Sequence, residues 1–78
     1  MAGINTSTIT SKTGGDLTIK DDNGNETLVL KETASAVNEV VIANAATGNG
    51  PIISTQGGDT NVDLNLAPKG TGAVKSTT

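Results

Sequence analysis

The chain is 78 residues long, carries a formal net charge of −3 and contains no Phe, Tyr, Trp, Cys or His. A domain of this size ordinarily draws its stability from aromatic rings, disulfides or a metal held by Cys and His, and this chain has none of those residues. The acidic balance, the lack of Arg and the scattered Lys argue against a phosphate-binding nucleic-acid interface, and no apolar run approaches the roughly 18 residues of a membrane span.

Residues 1–15 are rich in Thr and Ser, with isolated Ile4 and Ile9. They are expected to form an extended N-terminal segment that depends on neighbours for its order. They have neither the basic region nor the apolar core of a secretory signal. Residues 16–78 are expected to form a single β-rich module. Six strands are predicted, at 16–20 (DLTIK), 27–31 (TLVLK), 39–43 (EVVIA), 51–55 (PIIST), 61–66 (NVDLNL) and 72–75 (GAVK). Regular short strands with turn residues between them are the pattern of an all-β fold.

Three of these runs alternate cleanly. Leu17 and Ile19 alternate with Asp16, Thr18 and Lys20; Leu28 and Leu30 with Thr27 and Lys31; Val62, Leu64 and Leu66 with Asn61, Asp63 and Asn65. Successive strand side chains point to opposite faces, so each run has one apolar and one polar face. The turns fit as well. Asp22-Asn23-Gly24-Asn25 carries Asn-Gly, a strong hairpin signal, and Gly-rich turns are expected at 47–51, 56–59 and 68–72. Residues 33–47 are ambiguous. Val37, Val40, Val41 and Ala45 could share a helix face, yet Val40-Val41-Ile42 is a β-branched run and Asn38 and Asn44 are weak helix formers. A loop through Ala34-Ser35-Ala36 and a strand through Val40–Ile42 is the preferred reading.

The chain offers little chemistry. Without His, no Ser or Thr has its usual activating base. Paired carboxylates such as Asp59 and Asp63, or Asp21, Asp22 and Glu26, sit in or beside polar turns with no aromatic platform for a sugar. Asp59-Thr60-Asn61-Val62-Asp63 opens like a calcium loop, but Leu64 stands where Gly is required and Gly70 where Glu is required. Asp59, Asn61 and Asp63 are therefore weak calcium candidates, and no cofactor, metal or catalytic residue is expected.

The segment from Asn38-Glu39-Val40-Val41-Ile42-Ala43-Asn44-Ala45-Ala46-Thr47-Gly48-Asn49-Gly50-Pro51, continued by Gly58-Asp59-Thr60-Asn61-Val62-Asp63-Leu64-Asn65-Leu66-Ala67-Pro68-Lys69-Gly70-Thr71-Gly72, resembles a module of bacteriophage tail-fibre and related virion proteins, notably those of marine and cyanobacterial phages. The resemblance covers about half of the chain, and Leu66-Ala67-Pro68-Lys69-Gly70-Thr71-Gly72 is its most distinctive part. It implies an elongated, homotrimeric, β-rich part of a virion and does not imply an enzyme. The expected fold is thus all-β, with short strands in an intertwined homotrimeric β-prism or triple β-helix. Leu17, Ile19, Leu28, Leu30, Val40, Ile42, Ile53, Val62, Leu64, Leu66 and Val74 are the expected trimer core. Expected partners are two further copies of the chain, other tail, fibre or capsid proteins and a host surface receptor. The expected location is the virion. Within it, the chain is expected to be a tail-fibre module that gives a rigid shaft or attachment element, or alternatively a small capsid decoration or head-fibre protein.

Overall fold

A computed structural model describes residues 3–78; Met1 and Ala2, the start of the expected extended segment, lie outside the described residues. The fold is all-β. Four strands are present, β1 (Leu17–Lys20), β2 (Glu26–Leu30), β3 (Asn38–Ala43) and β4 (Ile52–Gly57), and no helix occurs among the described residues. They form two antiparallel two-stranded sheets, β1–β2 and β3–β4. The chain divides into two compact units, Met1–Ala34 and Ser35–Thr78, each holding one hairpin.

In the first unit, residues 3–16 carry no regular element beyond a turn closed by the Gly15 N–H on the Lys12 carbonyl at 3.1 Å. The β1–β2 ladder then pairs Leu17 with Leu30, Thr18 with Val29 and Ile19 with Leu28. Lys20 faces Glu26, so Thr27 is an extra residue that forms a bulge opposite the Ile19–Lys20 step. The turn is built around Asp21. Its carbonyl accepts the Gly24 N–H at 3.1 Å, and its Oδ1 accepts the N–H groups of Asn23 and Asn25, each at 3.0 Å. Only Gly24 takes a left-handed backbone here, with φ 85°. The Asn-Gly pair therefore makes a three-residue turn with one left-handed position, not the two-residue type that needs two of them. The Asp21 carboxylate takes up the N–H groups that would otherwise lack partners, which favours this longer turn.

At the start of the second unit, Ser35 adopts φ 57°. The helical alternative over residues 33–47 does not occur. The β-branched run Val40-Val41-Ile42 lies within β3, as its propensity favours. The β3–β4 ladder runs without interruption from Asn38 opposite Gly57 to Ala43 opposite Ile52. Within the connecting loop, the Asn49 N–H donates to the Ala46 carbonyl at 3.1 Å, with Gly48 at φ 93° in the position where a type II turn requires glycine.

Two expected strands are absent. Residues 61–66 and 72–75 carry no ladder. Alternation fixes which way side chains would face on a strand, but it does not supply a partner for the backbone N–H and C=O groups. Within a single chain no edge pairs with these segments. The expected turn before the last of them does form, with the Gly72 N–H on the Lys69 carbonyl at 3.0 Å and Gly70 at φ 61°.

Candidate functional site

Each hairpin carries an aliphatic face that stays largely exposed. The β1–β2 register puts Leu17, Ile19, Leu28 and Leu30 on one face of the first hairpin, as two directly opposed pairs. Cross-strand neighbours of this kind touch, which adds stability on top of the ladder. Ile19, Leu28 and Leu30 nevertheless stay about half exposed, and Leu17 is only partly covered. On the second hairpin, Val40, Ile42 and Ile53 share a face, because Ile42 stands opposite Ile53 and Val40 opposite Thr55. Ile42 is the most open, at 77% exposure.

The remaining expected core residues lie in the segment without a ladder. Val62 is half-buried, whereas Leu64, Leu66 and Val74 are exposed. The Thr55 hydroxyl donates to the Val62 carbonyl at 3.0 Å and so holds the start of this segment beside β4. A shallow groove of about 240 Å³ runs there, lined by Val40, Thr55, Val62 and Leu64 among others. No residue among those described is buried.

Polar side chains fix the ends of both hairpins. At the open end of the first, Asp16 Oδ1 accepts the Glu32 N–H at 2.8 Å and Oδ2 lies 3.5 Å from the Lys31 ammonium. The backbone hydrogen bond from Glu32, and secondarily the Lys31 charge, hold the Asp16 carboxyl below its ordinary range. At the corresponding end of the second, the Gly58 N–H donates to the Val37 carbonyl at 2.9 Å, and Asn38 Nδ2 donates to Asp59 Oδ2 at 2.9 Å. Beside them, Gln56 Nε2 donates to Glu39 Oε2 at 2.6 Å across the ladder.

Of the calcium candidates, Asp59 is thus engaged by Asn38. Asp59, Asn61 and Asp63 border one wide polar depression beside the end of β4. No group of three or more His, Cys, Asp or Glu is arranged to hold a metal ion among the described residues. Among the described residues, no helix is long and apolar enough to cross a membrane.

The sequence reading did not single out Asn38, Thr55 or Gly57 as structural anchors. Asn38 and Asp59 are far apart in sequence, and no local pattern joins them. Asp16 and Lys31 were readable in principle, because pairing Leu17 with Leu30 sets them opposite each other. No protein-family model, curated protein or solved structure matches the chain.

Proposed function

We propose that the chain is a structural virion protein, a homotrimeric module of a phage tail fibre or similar fibre that serves as a rigid shaft or attachment element and performs no catalysis. The observation that carries this reading is the open aliphatic face on each hairpin. Ile19, Leu28 and Leu30 beside the partly covered Leu17, and separately Val40, Ile42 and Ile53, are aligned by their ladders yet exposed. Contiguous exposed apolar surface of this kind marks an interaction site. The resemblance of residues 38–51 and 58–72 to phage fibre modules implies a trimer and a virion setting.

In this reading each loop is presented three times, so weak contacts sum to firm attachment. Linking sites in this way raises avidity by roughly 10²–10⁴. The loops at 21–26, 47–50 and 56–60 are the contact surfaces, because polar turns project beyond the strands. Sedimentation equilibrium at micromolar concentration tests the assembly. Three chains per particle are expected, with a melting temperature that rises with concentration. A compact, cooperatively folding monomer would refute the reading. Electron microscopy of virions carrying a labelled copy tests the location. Label on a fibre supports the proposal, and label distributed over the capsid replaces it with a decoration role.

A further inference from the structure

We propose that Asn49 is a self-modification site, whose side-chain amide converts to a carboxylate in water alone, faster than that of Asn23. These are the two asparagines of the chain followed by glycine. Glycine has no Cβ to hinder ring closure, and its backbone is the most adaptable.

The reaction needs no co-reactant beyond water. The Gly50 backbone nitrogen loses its proton to solvent and attacks Cγ of Asn49. The bond from Cγ to the amide nitrogen breaks, and ammonia leaves after taking up a proton from water. A five-membered succinimide remains. Water adds to one of its two carbonyls and the ring opens, giving Asp or the isomer whose main chain runs through the side-chain carbon. The net change is Asn plus water to Asp or isoaspartate plus ammonia.

The two sites differ in what restrains the attacking nitrogen. At Asn23 that nitrogen belongs to Gly24, whose N–H donates to the Asp21 carbonyl at 3.1 Å. The flanking N–H groups of Asn23 and Asn25 are both held by Asp21 Oδ1 at 3.0 Å, and the Asp21 N–H donates to the Asn25 carbonyl at 2.8 Å. Ring closure would break this set. The carboxylates of Asp21 and Asp22 also oppose the anion that must form on the nitrogen.

Neither restraint exists at Asn49. Its own N–H donates to the Ala46 carbonyl at 3.1 Å, but among the described residues neither its side chain nor the Gly50 N–H makes a hydrogen bond. Nothing lies within 4 Å of where a Cβ on Gly50 or on Gly24 would be, so space does not separate the two sites and the hydrogen bonds and charges do. No residue from Ala43 to Gly57 is charged, so no carboxylate opposes the anion. The product places a negative charge in the longest stretch of the chain without a charged side chain, on an exposed loop.

The test is incubation of the full chain in warm, mildly alkaline buffer, with site-resolved peptide mass spectrometry and labelling by an isoaspartyl methyltransferase. Asn49 is expected to convert severalfold faster than Asn23, with isoaspartate as the larger product. Gly50→Ala should slow the reaction at Asn49 severalfold. Asp21→Ala should bring the rate at Asn23 towards that at Asn49. In concentrated urea the two rates should approach each other, because the difference belongs to the fold. Equal rates in the folded protein, faster conversion of Asn23, or no conversion at Asn49 would overturn the proposal.

Discussion

Gly57 stands opposite Asn38 at the end of the β3–β4 ladder, so close that a Cβ on Gly57 would lie 2.6 Å from the Asn38 Cα and 2.5 Å from the Val37 carbonyl oxygen. Both obstacles are backbone and cannot swing aside. Gly57→Ala must therefore open the last ladder pair and disturb the hydrogen bond from Gly58 to Val37. A destabilisation of about 1–3 kcal/mol is expected, as for other overpacked sites. Gly50→Ala is the control, because a Cβ there meets nothing and the backbone is not left-handed. It should be neutral or raise stability slightly by narrowing the unfolded ensemble. Urea titration of both variants decides the matter; coinciding midpoints would remove the steric argument.

The same pair shows where sequence reasoning stops. The four strands of the structure were legible because alternation at Leu17 and Ile19, or the β-branched run Val40-Val41-Ile42, is a local signal that the ladders reinforce. The clamp between Asn38 and Asp59 was not legible. It depends on a β3–β4 register that brings the end of one strand beside the chain leaving the other, and neither residue announces it. Val62, Leu64 and Leu66 mark the opposite failure. Their alternation is as clear as that of β1, yet the segment has no ladder, because the pattern specifies a face and says nothing about a partner. The apolar faces could be read from spacing alone. Their exposure could not, since burial is set by what packs above them.

Leu30→Asp and Leu64→Asp are expected to abolish assembly, whereas Asp63→Asn should be mild. Leu30 lies opposite Leu17 on the open face of the first hairpin, and Leu64 lines the groove beside Val40. Both are about half exposed in the single chain, so an aspartate there is solvated and costs the lone chain little. In an assembly that covers them, an unpaired carboxylate costs several kcal/mol. Asp63 is exposed, and surface changes usually stay within about 0.5 kcal/mol. Sedimentation and thermal melting should separate the two classes. Leu64→Asp trimers with an unchanged melting temperature would show that this face is not an interface.

Acid should weaken the first hairpin through Asp16. The Glu32 N–H and the Lys31 ammonium hold the folded-state pKa below the unfolded value. The folded state therefore binds fewer protons than the unfolded chain in that range, and stability rises with pH across it. The contribution is fully present above the ordinary carboxylate pKa, near about 4. It is lost as pH falls through the lowered folded value. Asp16→Asn keeps an oxygen for Glu32 but has no charge to titrate. Its melting temperature should change less than wild type over the same acid range. Parallel pH profiles would show that Asp16 contributes nothing to the acid response.

Chelation should leave the fold intact, because Asp59 is held by protein. Asn38 Nδ2 donates to Asp59 Oδ2 at 2.9 Å, and the Asp59 N–H points back to Asn38 Oδ1 at 3.4 Å. A charge-assisted bond of this kind is worth about 1.5–3 kcal/mol when well formed, and less at this exposed position. Asn38→Ala is thus expected to lower the urea midpoint in buffers with and without EDTA by the same amount. EDTA alone should change neither melting temperature nor sedimentation. A melting temperature that drops in EDTA and returns with calcium would reverse this. Asp59, Asn61 and Asp63 would then be the ligands to substitute first, and the Asn38 bond would be one that the ion displaces.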